Sequence, residues 1–450
     1  MSVKVRFAPS PTGVLHVGNI RIAILNYIFA RKNSGIFLLR IDDTDSQRSQ
    51  KIYEEQIVRD MRWLCLNYDE YAVQSQNLNS YADAFELLKE RKLVYPCFET
   101  QQELELARKL QLANKQPPVY KRKFLSEDEI EKKLRNGDPV HWRFSLDRNI
   151  TEKWDDMIHG DIGVKINSIS DPVIIKPDGS YTYTFASVVD DINLGITHII
   201  RGDDHVTNTG AQIQLFKALS NSSPIFGHVP LMTASDGEEV SKRKSSKYSI
   251  CELMENGVEP IAIWSVLAGI SGAYQYEDGD TFSSVIEKFD FSKIALSSSK
   301  FDLQNVYNMS KKIIATYSYK DVADRITNIL CSLNLDLDES ELQLFWDSIK
   351  SNINSIYDAR RWAEICYLDS VDYVTDDKEF AAALYDSFTL HSSWDDFISN
   401  LKEKTNRRGK ALFHEIRLIL TGEDFGPELK YLYEIIPNDL IRSRICKSCS

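Results

Sequence analysis

Two hydrophobic patterns alternate in the N-terminal part of the chain. The apolar run VKVRF at 3–7 predicts a strand, and the stretch 18–32, apolar at many positions, predicts a largely buried helix. The continuous run GIFLLRI at 35–41 predicts a second strand of the buried, parallel kind. Helical spacing returns between 52 and 64. This β-α-β-α order predicts parallel strands joined by right-handed crossovers.

The alternation breaks down between residues 80 and 190. Charged helical segments are followed there by strand-like pieces such as VHWRFSL, and Asp178-Gly179 between VIIK and SYTYTF predicts a β-hairpin. We interpret this block as an insertion. The α/β pattern then resumes with a helix, FASVVDDINLG, that ends at Gly195. A strand (THIIRG), a helix (TNTGAQIQLFKAL) and a strand (IFGHVPLM) follow.

A polar loop, SDGEEVSKRKSSK at 235–247, has the length and composition of a mobile lid. Beyond residue 250 the pattern is helical to the end, apart from short loops. The sequence therefore predicts an α/β domain in two halves around an insertion, followed by an all-α C-terminal half.

Composition and charge narrow the class of protein. The chain has 450 residues, 43% hydrophobic and 27% charged, which is typical of a soluble globular protein. No apolar run approaches the roughly 20 residues that span a bilayer, and MSVKVRFAPS lacks the apolar core of a signal peptide. The seven cysteines are an odd, scattered set, so we expect a reducing cytosol rather than a disulfide framework.

The net charge of -12 argues weakly against a nucleic-acid partner, since binding needs only a local basic surface. Residues 402–417 provide one candidate, because they hold six Lys or Arg and two Glu. A solvated helix face explains that charge equally well.

The corner PSPTGVLHVGN at 9–19 joins the first strand to the first helix. In a parallel sheet this places the helix N-terminus at the carboxyl edge of the strands, where free N–H groups favour phosphate. Gly18 allows close approach of a nucleotide, and His16 is placed to donate to a phosphate oxygen. A helix-capping loop with an incidental histidine is the alternative. The sequence contains neither GxGxxG nor GxxxxGK[ST].

Two further strand ends should face the same cleft. The second strand ends in DDTD at 42–45, which could hold an ammonium group or a metal-bound water, or form a capped acidic turn. The strand that precedes 203 carries Arg201, and the first strand carries Arg6; the arginine fork suits a carboxylate. The basic loop SKRKSSK could close over a polyphosphate, or be a solvated basic turn. These pieces indicate adenylation of a carboxylic acid.

The residues resemble a known family over most of the chain. RFAPSPTGVLHVGNIRIAIL, LLRIDDTD, IIRGDDHVTNT, VSKR and RRGKALFHEIRLILTGEDFGPEL are similar to segments of the class I glutamyl-tRNA synthetases of bacterial type. The resemblance implies a Rossmann-type catalytic domain (1–80 and 190–250), an α+β acceptor-stem-binding insertion (81–189), a stem-contact region (251–310) and a helical anticodon-binding domain (311–450).

The resemblance also assigns roles to residues. It makes 9–19 the family's "HIGH" signature, with Asn19 in place of the second histidine, and 239–243 the "KMSKS" position. The implied glutamate pocket comprises Arg6, Ser10, Asp42, Tyr183 and Arg201. The implied ATP contacts are His16, Gly18, Asn19, Asp204, Lys242 and Arg243, with His16 and Lys242 catalytic. For tRNA the matching basic residues are Arg407, Arg408 and Lys410.

Several positions depart from the family pattern. Asp42 stands where Glu is usual, Ser187 where Asn is common, and Glu239 where the mobile loop has its first lysine. Many bacterial relatives carry a zinc site that begins Cys-x-Cys, but here the run is Cys97-Phe-Glu99, and YKRK at 120–123 offers neither Cys nor His. We therefore expect no structural zinc. Cys446 and Cys449 form a half-site without a partner.

The implied reaction joins L-glutamate to tRNA(Glu) with ATP and Mg²⁺ in a cytoplasmic enzyme, which we expect to be monomeric. Either arginine could read either carboxylate of glutamate. Four alternatives remain. They are a glutaminyl or non-discriminating synthetase, an enzyme that glutamylates a tRNA base, a small-molecule nucleotidyltransferase, and a catalytically weak tRNA-binding paralogue. The base-modifying type ends soon after the mobile loop, whereas this chain continues for about 200 residues.

Overall fold

The computed structural model describes residues 2–45, 47–234, 248–389 and 393–449. It divides into two compact units. The first comprises Met1–Leu253, Trp264–Tyr276 and Asp280–Asp302, and the second comprises Met254–Ile263, Glu277–Gly279 and Leu303–Ser450. No helix in the described residues is long and apolar enough to cross a membrane.

The elements up to the polar loop follow the predicted alternation. In chain order they are β1 (Lys4–Phe7), α1 (Val17–Lys32), β2 (Ile36–Ile41), α2 (Lys51–Trp63), β3 (Glu70–Val73), α3 (Leu78–Glu90), β4 (Val94–Cys97), α4 (Gln101–Ala113), α5 (Glu127–Arg135), β5 (His141–Phe144), β6 (Thr151–Asp156), β7 (Gly160–Lys165), β8 (Val173–Ile175), α6 (Tyr183–Asn193), β9 (His198–Gly202), α7 (Val206–Ser220), β10 (Ile225–Val229) and β11 (Met232–Ala234). The strand–helix–strand–helix prediction for the first segment is confirmed.

The strands of the α/β part are parallel. β2 lies between β1 and β3, and β9 pairs with β10. Thr197, just before β9, donates its N–H to the carbonyl of Lys4 in β1 at 2.9 Å, which joins the two groups side by side. The spatial order is β3-β2-β1-β9-β10. From β1 the chain adds strands first towards one edge of the sheet and later, from β9, towards the other, so the strand order switches between β1 and β9. Ligands bind at such a switch point, outside the carboxyl ends of the strands.

The inserted segment forms its own antiparallel structure. β5 pairs with β4 and β8, and β6 with β7 as a hairpin. The predicted strand SYTYTF is wrong, although its turn is present, with Gly179 at φ +81°. A single antiparallel β-bridge, between Ile175 and Tyr181, spans the turn in the described residues. Helix α6 then begins at Tyr183. Burial of Phe185 in the core overrides the local strand pattern, since propensity is a weak prior.

The remaining elements are mostly helical, as predicted. They are α8 (Ile250–Glu255), α9 (Pro260–Gly269), α10 (Phe282–Lys288), β12 (Ser299–Phe301), α11 (Leu303–Thr316), α12 (Tyr319–Cys331), α13 (Glu339–Ile349), α14 (Asp358–Tyr367), α15 (Lys378–Ser387), α16 (Trp394–Thr405), α17 (Lys410–Thr421), α18 (Leu429–Ile435) and α19 (Asn438–Cys449). One core, with Trp346 and Phe397 fully buried, holds the helices of the second unit together.

Candidate active site

A cavity of about 390 Å³ lies at the switch point. Its walls are the carboxyl ends of β1, β9 and β10 and the first turns of α1. It brings together most of the predicted site residues, namely Arg6, Ser10, His16, Gly18, Asn19, Tyr183, Arg201 and Asp204. Residues nearly 200 positions apart in the chain therefore share one wall.

His16 is the N-cap of α1. Its Nδ1 accepts the backbone N–H groups of Gly18 at 3.1 Å and Asn19 at 3.4 Å. The capping is reciprocal, because Asn19 Oδ1 accepts the backbone N–H of His16 at 2.9 Å. Since Nδ1 accepts, the neutral ring carries its proton on Nε2. Burial lowers the pKa of His16, which favours this neutral form. The capping and ligand-binding interpretations are thus compatible, because they use opposite ring nitrogens.

The position of the His16 ring leaves no room for a side chain at Gly18. A Cβ at this position would lie 2.8 Å from His16 Cε1 and 2.9 Å from its Nδ1. Any larger residue would displace the imidazole from its capping position. Gly18 was predicted only to allow the approach of a nucleotide; its contact with the His16 ring is an additional constraint.

Three buried guanidinium groups, those of Arg6, Arg21 and Arg201, give the cavity its positive character. Arg6 is 4% exposed and its Nε contacts Asp191 Oδ1 at 3.2 Å. Arg201 is 5% exposed, and no acceptor in the described residues bonds to its Nε. Burial lowers the pKa of Arg201. A buried cation without a carboxylate partner is costly, so this wall is suited to an anionic ligand.

A ring and a carboxylate border the cavity beside Arg201. Tyr183 begins α6, and its ring lies 5.8 Å from that of His205. Burial first, and then the charge of Arg201, lower the pKa of His205 to about 4. His205 is therefore neutral at pH 7 and adds no positive charge to that of Arg201. Asp204 has an exposed side chain at the mouth.

Asp42 does not line the cavity. Its Oδ1 accepts from Arg40 Nε at 2.6 Å and its Oδ2 from Arg40 Nη2 at 3.1 Å. Arg40 also donates to Asp191 at 2.7 Å, and Asp191 in turn holds Arg6. Burial raises the pKa of Asp42 to about 6 against the opposing effect of Arg40, so the carboxylate is still ionised at pH 7. The structure connects Asp42 to the cavity through this chain of ion pairs.

Ser187 and the other two carboxylates of the segment 42–45 do not line the cavity either. Ser187 is buried and accepts from Gln212 Nε2 at 3.1 Å. Asp43 accepts the N–H of Ser75 at 2.8 Å, and Asp45 pairs with Arg48. The residues at 239, 242 and 243, and with them the predicted lid contacts of Lys242 and Arg243, lie outside the described residues.

Arg21, which is not among the site residues predicted from the sequence, lines the cavity from α1. Its Nη1 donates to the carbonyl of Pro230 at 2.6 Å, and burial lowers its pKa to about 10. Its Nε and Nη2 have no partner in the described residues. The available signal was an arginine within the apolar run IRIAIL, which the prediction of a buried helix made anomalous.

The insertion holds a cluster of three possible metal ligands, of which the sequence pointed to Cys97 and Glu99 but not to His141. Ligand atoms of Cys97, Glu99 and His141 lie within 4.8 Å of one another. The Tyr120 hydroxyl lies 3.3 Å from Cys97 Sγ and 3.1 Å from Glu99, and Arg143 Nε lies 3.4 Å from His141 Nε2. No spacing rule links residue 141 to residue 97, because strand pairing of β4 with β5 sets their distance.

The three basic residues predicted to contact tRNA lie at the turn between α16 and α17. Arg407 pairs with Asp377 at 2.5 Å and lies 4.8 Å over the ring of Phe380. Arg408 and Lys410 are exposed. Lys410 begins α17, which has no side-chain cap and no acidic residue in its first turn. Its free N–H groups therefore face solvent or a ligand.

Comparison with known proteins gives consistent results. The family described as "tRNA synthetases class I (E and Q), catalytic domain" matches residues 2–310. Glutamate–tRNA ligase 1 of Maricaulis maris (strain MCS10) is 43% identical over 98% of each chain. Glutamate–tRNA ligase 1 of Orientia tsutsugamushi (strain Ikeda) is 41% identical over 99% of this chain and 100% of its own.

Two solved structures have the same fold along the whole chain. A glutamate tRNA ligase from Elizabethkingia meningosepticum superposes with a TM-score of 0.84 at 24% identity, covering 100% of this chain and 99% of its own. The glutamate-tRNA synthetase of Elizabethkingia anophelis gives a TM-score of 0.82 at 24% identity, with both chains fully covered. The predicted α/β part with its insertion and helical C-terminal half is confirmed at the level of fold.

Proposed function

The chain belongs to the class I tRNA synthetases for glutamate and glutamine, and on this premise we propose that it attaches L-glutamate to tRNA(Glu) at the expense of ATP. The observation that supports this best is the cavity itself. It sets two buried guanidinium groups, Arg6 and Arg201, beside the capped N-terminus of α1. An amino acid with two carboxylates and a nucleoside triphosphate match those two halves.

The first step forms glutamyl adenylate. Arg6 and Arg201 hold the carboxylates of glutamate, and its α-carboxylate attacks the α-phosphorus of ATP, with pyrophosphate as the leaving group. His16 donates from Nε2 to the phosphates as their charge increases. Lys242, which lies outside the described residues, and the Mg²⁺ that accompanies ATP in this family are proposed to neutralise the same charge. No protein nucleophile is needed, so catalysis consists of positioning and electrostatics.

The second step transfers glutamate to tRNA. The 2′-hydroxyl of the terminal adenosine attacks the carbonyl carbon of the adenylate, its proton passes to the departing phosphate, and AMP leaves with the bonding electron pair. Class I membership implies the 2′ position. The domain division stated from the sequence, the cytosolic location and the monomeric state remain part of this proposal.

Aminoacylation of purified tRNAs tests the function. Glutamate, ATP and tRNA(Glu) should give glutamyl-tRNA, and glutamine should not replace glutamate. Parallel assays with tRNA(Gln) separate a discriminating from a non-discriminating enzyme. Glutaminyl-tRNA as the main product, or ATP–pyrophosphate exchange that ignores glutamate both with and without tRNA, would refute the assignment.

We expect Asp42→Glu to impair glutamate use at least as strongly as Asp42→Asn. Both carboxylate oxygens already bond to Arg40, and residue 42 is 3% exposed, so an extra methylene should displace the pair. Arg40 also bonds to Asp191, which holds Arg6, so its displacement should misplace Arg6 and raise the KM for glutamate by about 10-fold with little change for ATP. Steady-state exchange kinetics measure both constants. Should Asp42 hold the substrate ammonium directly, Asp42→Glu would be tolerated far better than Asp42→Asn.

Parallel controls are Asp43→Asn and Asp45→Asn. Asp45 lies on the surface in an ion pair with Arg48, and Asp43 bonds to a loop N–H. Each variant should have near wild-type kinetics for glutamate, because neither carboxylate belongs to the network of Arg40.

We expect protein purified without added metal to contain well below one zinc per chain. Burial raises the pKa of the Cys97 thiol, and Arg143 faces the Nε2 lone pair of His141. In the part of the chain that the structure describes, the three clustered groups also fall short of the four protein ligands usual in structural zinc sites. Elemental analysis with chelator treatment checks this. One zinc per chain, whose removal lowers the melting temperature, would show that the cluster binds metal despite Arg143.

The exposed basic residues at the start of α17 should contact tRNA phosphates. Replacing Arg408 and Lys410 by Ala should weaken tRNA binding and reduce the log–log salt slope by about one unit per lost contact. Filter binding across a salt series measures the slope. Arg407→Ala is the comparison, because Arg407 already pairs with Asp377 and should change stability more than slope. An unchanged slope in the double variant would make the segment a solvated helix end.

A further inference from the structure

We propose that Thr209, His228 and Asp156 form a buried chain that positions Arg201 for the substrate carboxylate. The inference rests on the proposed function, since it concerns how one arginine of the glutamate site is held. None of the three residues lines the cavity. They come from three separate elements, α7, β10 and β6.

The chain of hydrogen bonds is continuous. Arg201 Nη2 donates to Thr209 Oγ1 at 2.6 Å, and Thr209 Oγ1 lies 2.8 Å from His228 Nε2. His228 Nδ1 lies 2.5 Å from Asp156 Oδ2. Thr209 and His228 are 0% exposed and Asp156 is 2% exposed. In such a dry environment each contact is stronger, and each unmade contact more costly, than at the surface.

The direction of the protons follows from the chemistry of the last member. Burial alone would raise the pKa of Asp156, but the His228 side chain and the backbone N–H groups of His228 and Ile158 hold it well below its usual range. The carboxylate therefore only accepts, and His228 Nδ1 donates to it. With Nδ1 carrying the proton, Nε2 accepts. The single hydroxyl proton of Thr209 has two acceptors within reach, His228 Nε2 at 2.8 Å and the carbonyl of His205 at 3.1 Å, while its oxygen accepts from Arg201. The shorter contact links Thr209 to His228, and the bond to His205 holds the same hydroxyl against its own helix.

Arg201 lines the cavity beside Tyr183, so its anchored guanidinium borders the space where a ligand would bind. Thr209 fixes one terminal nitrogen, and the guanidinium lies 5.6 Å from the centre of the Phe226 ring. Its Nε has no acceptor in the described residues. Bidentate recognition of a carboxylate depends on the orientation of the planar fork, so an anchor behind it determines affinity without touching the substrate.

Asp156 also ties the site to the insertion. Its Oδ1 accepts the backbone N–H groups of Ile158 at 3.0 Å and His159 at 3.2 Å, in the turn that joins β6 to β7. The same oxygen accepts the N–H of His228 at 3.1 Å. The hairpin β6–β7 thus helps to place an arginine of the amino-acid site, although it contributes nothing to the cavity wall.

The test compares Thr209→Val with Thr209→Ser. Valine keeps the shape and removes the hydroxyl, whereas serine keeps the hydroxyl. We expect Thr209→Val to raise the KM for glutamate by about 10- to 100-fold, because small misplacements of a binding group have effects of that size. The KM for ATP should stay within about twofold, and Thr209→Ser should restore most of the affinity for glutamate.

Two controls make the result specific. Thr207→Val changes an exposed threonine on the same helix and should leave both constants unchanged. In an Arg201→Lys background, Thr209→Val should have little further effect, because coupled residues are not additive. A Thr209→Val enzyme with unchanged glutamate kinetics, or one impaired equally for both substrates, would overturn the inference. If the wild-type enzyme itself shows no glutamate-dependent exchange, the proposed function fails, and the inference fails with it.

Discussion

Exchange of His16 for asparagine is expected to leave the fold intact and to slow glutamate activation by about 100- to 1,000-fold. Asparagine is among the best N-cap residues, and its side-chain oxygen can accept from the same N–H groups of Gly18 and Asn19. It has no donor in the position of Nε2. The substitution therefore separates capping of α1 from donation to the phosphates.

His16→Ala is the matched variant. It removes both the cap and the donor, so it should lose the same activity and, in addition, about 1 kcal/mol of stability. Single-turnover formation of the adenylate measures the rate, and thermal unfolding measures the fold. If His16→Asn activates glutamate at the wild-type rate, Nε2 is not the phosphate donor and His16 is a helix cap alone.

Arg201→Met should abolish effective use of glutamate without destabilising the protein. Loss of one partner of a buried charge pair costs roughly 2–5 kcal/mol, so kcat/KM for glutamate should fall by about 1,000-fold. Because burial lowers the pKa of Arg201, the folded protein holds its charge unfavourably when no ligand is bound. Methionine fills the same space without a charge. The Arg201→Met protein should therefore unfold at or above the wild-type temperature.

Arg201→Lys separates charge from geometry. Lysine keeps the positive charge but cannot form the planar fork. The kcat/KM of Arg201→Lys for glutamate should therefore lie between those of wild type and Arg201→Met. The KM for ATP should change little in either variant, since the nucleotide half of the cavity is untouched. A Met variant that loses stability while retaining glutamate kinetics would assign Arg201 a structural role instead.

The local sequence pattern was sufficient to predict the strands and helices of the α/β part and the segments that border most of the cavity. The apolar runs at 3–7 and 35–41 predicted parallel strands, and the corner at 9–19 predicted a helix start that carries His16. Strand direction places every carboxyl end on one edge, so the side chains of Arg6 and Arg201 could be expected in one cleft before their distance was known. Such inferences hold because periodicity and backbone direction depend on near neighbours in the chain.

Tertiary structure alone decided which partners these side chains take. Asp42 was expected to face the substrate, but its two oxygens meet Arg40, which also bonds to Asp191 some 150 positions later. The strand predicted from SYTYTF became the start of α6, because Phe185 packs into the core. Thr209, His228 and Asp156 likewise show no common spacing. A buried charge or hydroxyl pairs with whatever the fold brings within about 3 Å, and no local sequence pattern encodes that distance.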